Sequence, residues 1–351
     1  MSRYCYYLAK AIQEKHELLL LSYSRLYPRM LYGKKSQVDS SVDVETIKRE
    51  FGRLEYGIDS ASPASWIATM AEITAFGPEV VILPWWVTYW TPMYACLLAF
   101  LKKRKIRAVL LCINVYEHES SFIKKLLADF VIRRAPNVVV HSEEERREVL
   151  AINGRAAVAK HLLPLFEYSP CRSAESDGVL RILFFGFVRE YKGLDVLLHA
   201  IRLLRDRAVS LRIVGEFWEG KDKYLALIEQ LGISSRVEVF DGYVPDTEID
   251  EHFAWADLVA LPYRRSRTSG IIATAYGFGK PVLATDVGGF REVVQEGLTG
   301  KIVPPGDADA FAAGIGWFMD NRAIDFAGNI AVFAGRCMSW RSLADLVVGE
   351  N

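Results

Sequence analysis

No two cysteines in this 351-residue chain are spaced as a metal or redox motif. Cys5, Cys96, Cys112, Cys171 and Cys337 are scattered, without a C-x-x-C pair. That excludes a zinc-ribbon or disulfide scaffold and fits reduced thiols in a cytoplasmic setting. Nor is there an excess of one charge: 43 Lys and Arg balance 43 Asp and Glu. A dedicated nucleic-acid binder normally carries a basic surplus, so nucleic acid is not an expected partner. No uninterrupted apolar run approaches the roughly 20 residues that span a bilayer. Internal repeats and low-complexity tracts are absent, and the opening residues do not read as a secretory leader. What is present is apolar: 51% hydrophobic residues against 25% charged. That composition supports large cores, and the length suits two domains.

Along the chain, apolar periodicity alternates between strand and helix. Residues 2–14 read as a helix and 18–23 as a strand. Helices are expected over 46–55, 62–76, 91–101, 120–133 and 143–153, with strands at 80–83, 108–113 and 138–141. Residues 168–178, with Pro170, Asp177 and Gly178, lack periodicity and read as a linker. The alternation then restarts, with strands at 180–187, 210–214, 237–240, 257–261 and 281–285 separated by helices. Two such runs predict two Rossmann-like α/β domains, each a doubly wound parallel sheet, facing a cleft. The expected limits are 1–170, 171–335 and a final helical segment, 336–351, that returns to the first domain.

The densest chemistry lies in residues 261–304. Arg264, Arg265 and Arg267 precede Thr268-Ser269-Gly270, and Ile271 opens a helical run. A Ser/Thr/Gly loop ahead of a helix presents backbone N–H groups and the positive end of the helix dipole, an anion site suited to phosphate. Pro281–Thr285 reads as a buried strand, and Gly288-Gly289 as a tight turn at its C-terminal end. A second basic turn, Phe185-Gly186-Phe187-Val188-Arg189-Glu190-Tyr191-Lys192-Gly193, joins strand to helix, and Gly186 allows close backbone approach.

This order of motifs resembles the donor half of GT-B glycosyltransferases of family 4. The residues that carry the resemblance are Gly279-Lys280-Pro281-Val282, Thr285-Asp286-Val287-Gly288-Gly289, Glu292-Val293-Val294, Gly297, Thr299-Gly300 and Pro304-Pro305-Gly306-Asp307. By resemblance, Arg189 and Lys192 clamp the diphosphate of a nucleotide sugar. The Ser269–Ile271 amides share that role. Gly215, Glu216, Tyr243 and Val244 lie on loops that face the nucleobase. No metal or other cofactor is then needed, because cations and amides stabilise the leaving diphosphate. The implied reaction is hexosyl transfer, with retention, to a saccharide or lipid-linked saccharide in polysaccharide synthesis.

The chain also departs from the family pattern. Most members carry E-x7-E around the anion loop; Ser266 and Thr274 occupy those positions here. Thr274 offers one hydroxyl to the ribose. An H-N-V-x-P-H-E pattern is reduced to Ile113-Asn114-Val115-Tyr116-Glu117-His118-Glu119. His118 remains as a candidate to bond the donor sugar or a phosphate oxygen, on the cleft side of the first domain. The family's first strand and glycine loop are missing before residue 2, so a shortened first sheet and weakened activity are expected. Trp85-Trp86 and Tyr89-Trp90 read either as packing or as a sugar or lipid platform. Residues 93–100, followed by KKRKIR, read either as a helix with a basic last turn or as a peripheral membrane contact. A non-catalytic nucleotide-sugar-binding subunit and a sugar-nucleotide epimerase remain alternatives. The epimerase should have a carboxylate-rich cleft, which the motifs do not supply.

Overall fold

The computed structural model describes residues 3–25, 44–116, 121–166, 168, 177–218, 220–245 and 248–350. The chain divides into two compact units, Met1–His161 with Ser339–Asn351, and Leu162–Met338.

The first unit opens with α1 (Arg3–Gln13), β1 (Leu20–Arg25), α2 (Val44–Phe51), β2 (Leu54–Asp59) and α3 (Pro63–Phe76). Then come β3 (Val80–Trp85), α4 (Thr91–Arg104), β4 (Arg107–Cys112), α5 (Phe122–Ile132), β5 (Asn137–Val140), α6 (Glu143–Ile152) and β6 (Ala157–Lys160). β3-β4-β5-β6 form one parallel sheet, and β1-β2 a separate parallel pair. Among the described residues no ladder joins the two. β2 takes residues 54–55 out of the helix expected over 46–55, and β6 was not expected. β6 is a four-residue edge strand, and neither strand carries a long apolar run.

α4 shows why sequence and packing agree here. Pro92 sits in its first turn, and Lys102, Lys103 and Arg104 complement the dipole at its last. Met93, Tyr94, Leu97, Leu98 and Leu101 fall on one face and are buried, so this face is core and not a membrane contact. The tryptophans are likewise core: Trp85 and Trp90 are fully buried, and Trp90 stacks on Tyr23 with centroids 4.6 Å apart. The last helix, α14 (Trp340–Val348 in chain order), belongs to this unit. Its Trp340 stacks on Tyr7 of α1 and meets Tyr4 edge-on, and Arg341 pairs with Glu14 at 2.6 Å.

A buried polar network links α1, β5 and α6. Tyr4 Oη lies 3.0 Å from His141 Nε2, and His141 Nδ1 lies 2.8 Å from the His161 carbonyl. A carbonyl only accepts, so Nδ1 carries the proton and the Tyr4 hydroxyl donates to Nε2. Burial holds His141 neutral, lowering its pKa to about 4. Beside it Glu145 is fully buried, accepting from the His141 N–H and from Ser142 Oγ. Burial pushes its carboxyl up to about 7.

The second unit holds β7 (Leu180–Phe185), α7 (Leu194–Leu203), β8 (Val209–Val214), α8 (Lys221–Gln230), β9 (Val237–Phe240), α9 (Ile249–Trp255), β10 (Leu258–Leu261), α10 (Gly270–Gly277), β11 (Val282–Thr285), α11 (Phe290–Val293), β12 (Gly300–Val303), α12 (Ala308–Asp320) and α13 (Phe326–Cys337). The strand order is β12-β11-β10-β7-β8-β9, all parallel. β10 and β11 are buried at every residue, as strands covered by helices on both faces must be. The chain leaves β7 to one side and returns through β10 on the other. This reversal is the switch point of a doubly wound sheet, where strand ends splay and ligands bind. β12 occupies residues expected to form only a turn. The unit begins at Leu162, ahead of the expected boundary at 170, because Leu162 is buried in its core and Tyr168 stacks on Phe278 at 4.1 Å. It ends at Met338 and not at 335, because α13 packs there up to Ala334 and Met338.

The Glu145 network makes stability of the first unit pH-dependent. Its carboxyl has a folded pKa near 7 against an ordinary 4.5, so the folded state holds the extra proton between those values. The associated stability is present below about 4.5 and lost as pH rises through about 7. Glu145→Gln, which never ionises, should therefore raise the melting temperature of this unit at pH 8 by the equivalent of up to about 3 kcal/mol. At pH 5 it should change little. Melting curves of both proteins at the two values check this; equal shifts at both would disprove the ionisation account.

Candidate active site

Two strand ends, β7 and β10, build the candidate site. After β7 the backbone passes Gly186, with φ +94°, and forms a short 3-10 turn, Glu190–Lys192, before Gly193 starts α7. A Cβ on Gly186 would lie 3.2 Å from Lys192 Nζ and 3.4 Å from Ile271 Cδ1. The missing side chain thus places the Lys192 ammonium beside the first turn of α10. A Cβ on Gly193 (φ +66°) would come 2.1 Å from the Pro262 carbonyl oxygen, so the turn sits directly on the end of β10. Gly215 closes β8 against β7: a Cβ there would meet the Gly186 oxygen at 2.3 Å.

Lys192 is 7% exposed. Its ammonium faces the Tyr263 ring at 5.5 Å, and no carboxylate pairs with it among the described residues. Burial lowers its pKa to about 8, with the nearby Arg189 charge adding to the effect. Arg189 is half-buried, its guanidinium 4.0 Å from the Trp218 ring centroid. Val188 and Phe217 form a β-bridge, and the Val188 N–H donates to the Glu216 carbonyl at 2.9 Å. Glu216 therefore contributes its backbone to the shape of this turn.

The anion loop is held from two sides. Ser269 caps α10, its hydroxyl accepting from the Ile271 N–H at 3.3 Å, and it is hydrogen-bonded to the buried Tyr263 side chain. Gly289 N–H donates to the Arg267 carbonyl, and a Cβ on Gly288 (φ +50°) would lie 2.2 Å from the Ser266 oxygen. The Gly-Gly turn thus clamps the loop. Thr285 Oγ1 donates to the Tyr263 carbonyl at 2.6 Å, joining β11 to the same loop.

The structure brings Gly186, Arg189, Lys192, Gly193, Gly215, Glu216 and Ser269–Ile271 to one end of one sheet. Arg264 is diverted from the anion role that its position implied. It forms a two-pronged ion pair with Asp195, at 2.9 and 2.7 Å, and ties the loop to α7. Thr274 is 8% exposed and its hydroxyl donates to the Gly270 carbonyl at 3.0 Å. Only its lone pairs remain for a ligand. Tyr243 is exposed after β9, and Val244 packs against the core. His118 lies outside the described residues. Sequence reading missed Trp218 and Tyr263. Trp218 could have been found as an aromatic just past the β8 end, where the sheet presents its loops. Among the described residues no three His, Cys, Asp or Glu side chains cluster as metal ligands.

Residues 180–321 match the family model for glycosyl transferases group 1. The chain is 29% identical over 236 residues to D-inositol 3-phosphate glycosyltransferase of Nocardia farcinica, covering 61% of this chain and 52% of that one. It is 26% identical over 174 residues to GDP-mannose:glycolipid 4-beta-D-mannosyltransferase of Xanthomonas campestris pv. campestris, covering 44% and 49%. The chain thus spans about half the length of these curated relatives. Among solved structures, HepE of Anabaena in complex with UDP and glucose superposes with a TM-score of 0.70 at 17% identity, over 99% of this chain and 95% of that one. Sucrose-phosphate synthase of Thermosynechococcus elongatus gives 0.70 at 14%, over 98% and 90%. At these identities the structures speak for the fold, and the family match speaks for the donor-side motifs. Residues 180–321 thus resemble a group 1 glycosyl transferase domain, and the chain shares the GT-B fold of these solved structures.

Proposed function

We propose that the protein transfers a hexosyl group from a nucleoside-diphosphate sugar to a saccharide or lipid-linked saccharide, with retention of configuration, in polysaccharide assembly. The observation that carries this reading is Lys192: a buried cation without a carboxylate partner among the described residues, set beside Gly186 and the first turn of α10 at the switch point. A buried charge is costly unless something compensates it, and a diphosphate is the compensation that this geometry admits. The relatives named for transfer to an inositol phosphate and to a glycolipid support an acceptor of that kind.

The chemistry follows from charge. As the bond from the anomeric carbon to the diphosphate oxygen breaks, the departing nucleoside diphosphate gains negative charge. Lys192, Arg189 and the α10 amides are already fixed around that position, so they stabilise the developing charge without reorganising. This set makes a metal unnecessary. The exposed Tyr243 and the β8–β9 loop ends are the side on which a nucleobase would lie. His118 would bond the donor sugar or a phosphate oxygen, and His118→Ala should slow turnover.

One observation favours a second reading, a nucleotide-sugar-binding subunit without turnover. Ser266 and Thr274 stand where most members carry glutamates, and both hydroxyls already donate to backbone carbonyls. Measured sugar transfer or donor hydrolysis separates the two readings. Binding with neither would favour the subunit.

Removing a cation should weaken nucleoside-diphosphate binding by about 1–3 kcal/mol, the worth of a charge-assisted hydrogen bond. Titration calorimetry on Arg189→Ala and Lys192→Met checks this, and unchanged affinity in both would place the site elsewhere. Lys192→Met should also stabilise the second unit at neutral pH, since it removes a buried charge.

The pH dependence has a definite sign. In the free protein Lys192 loses its proton near pH 8, below the ordinary 10.5. A bound anion favours the charged form, so binding above about pH 8 must take up a proton. Affinity should be flat below that value and fall as pH rises above it. Calorimetry in buffers of different ionisation enthalpy detects the uptake, and Lys192→Met should abolish it.

A further inference from the structure

The helix α5, FIKKLLADFVI, is apolar on two opposite faces. Ala128, Val131 and Ile132 are buried in the first unit's core. On the other side Phe122 is 75% exposed, Ile123 68%, Leu126 52%, Leu127 37% and Phe130 42%. At 3.6 residues per turn these five side chains occupy an arc of about 140°, centred nearly opposite the buried one. A helix hydrophobic all round is normally enclosed by protein or lipid. Large exposed apolar patches on a folded protein mark interaction sites.

The charges around the patch decide its partner. Lys125 flanks it, and Arg133 and Arg134 follow its last turn, both exposed. The Arg134 guanidinium lies 3.4 Å from the Phe130 ring centroid and donates to the Phe130 carbonyl at 2.7 Å. The charge is thus stacked on the last ring of the apolar face. β3, β4 and β5 are parallel, so α4 and α5, which return between them, run in the same sense. The exposed Lys102, Lys103, Arg104 and Lys105 at the end of α4 therefore fall at the same end as Arg133 and Arg134. The one carboxylate of the helix, Asp129, already accepts from the Tyr116 hydroxyl at 2.8 Å. A second copy on the same face would bring its own cations against these with no free carboxylate from the helix to answer them.

We propose that the outer face of α5 seats the protein on an anionic lipid bilayer, with Phe122, Ile123, Leu126, Leu127 and Phe130 in the headgroup–acyl boundary and Arg133 and Arg134 on lipid phosphates. A basic rim around an apolar stripe is the composition that lies in such an interface. The proposal goes beyond the transfer reaction and does not depend on it.

Vesicle flotation of the full chain tests it. The parent should partition onto vesicles of phosphatidylcholine with phosphatidylglycerol, and far less onto phosphatidylcholine alone. The double variant Ile123→Glu/Leu126→Glu should lose more than about tenfold in partition, because two buried apolar side chains are replaced by anions. Arg133→Gln/Arg134→Gln should lose about fivefold per cation, and added salt should weaken the parent in the same way. Both positions of the first variant are exposed, so its melting curve should match the parent's. If it does not, the arginine variant decides alone. A parent that ignores anionic vesicles, or variants that partition as the parent does, would overturn the proposal. So would a parent that light scattering shows to be a dimer and that Ile123→Glu/Leu126→Glu turns into a monomer, which would assign the face to a second copy.

Discussion

Backbone crowding at the end of β7 governs the second unit. Gly193, Gly215 and Gly288 each stand so close to a neighbouring carbonyl that a single methyl group would lie within 2.3 Å of its oxygen. All three also have positive φ, which side chains rarely adopt. Together they draw the β7 turn onto β10, β8 onto β7, and the anion loop onto the Gly-Gly turn. A larger residue at any of the three would force main chain apart from main chain, because the clashing atoms are not flexible side-chain ends. The close spacing also removes water from Lys192. The depressed pKa of that lysine is thus a consequence of how tightly the glycines let the turns approach.

The two units treat buried polarity in different ways. In the first, the His141 ring is satisfied by Tyr4 and the His161 carbonyl, and Glu145 Oε2 by the His141 N–H and Ser142, while Glu145 Oε1 has no hydrogen-bond partner among the described residues; burial keeps both ring and carboxyl near neutrality. This network serves packing between α1, β5 and α6. In the second, Lys192 is buried without an internal counter-charge among the described residues. Arg264, an exposed arginine ahead of the anion loop, is neutralised by Asp195. The protein therefore compensates the charge that fastens a loop and leaves uncompensated the one aimed at the strand ends. Natural structures rarely carry such an imbalance unless a ligand removes it.

Most of the second unit was legible in the sequence, because its strands are short apolar runs bounded by glycine and proline. The basic turn through Gly186, Arg189 and Lys192 and the Ser269 loop ahead of α10 followed from strand-turn-helix order, and the role of the two cations from the family resemblance. What escaped was set by tertiary geometry. β6 and β12 are only four residues long, and β2 begins at Leu54, inside the apolar spacing that reads as a helix over 46–55. Arg264 looked like a phosphate ligand because spacing along the chain cannot show that Asp195, 69 positions earlier, stands opposite it. Thr274 looked available because a helical hydroxyl's bond to the carbonyl four residues back leaves no mark in the sequence. Trp218 is separated from Arg189 by a helix and a strand, and the Val188–Phe217 bridge, with the Trp218 N–H donating to the Val188 carbonyl, brings them together.

α4 and α5 mark the limit of reading hydrophobicity without a partner. Both have apolar stretches followed by basic residues, and by composition α4 was the better candidate for a surface contact. In the fold α4 spends its apolar face on the core, while α5 needs only Ala128, Val131 and Ile132 to do so. The difference lies in phase. In α4 the large side chains share one face. In α5 they lie nearly opposite the small core-facing set, so packing cannot bury them without turning the helix and exposing Val131 and Ile132 instead. The outward face of α5 is therefore a surplus that the first unit's own core does not use.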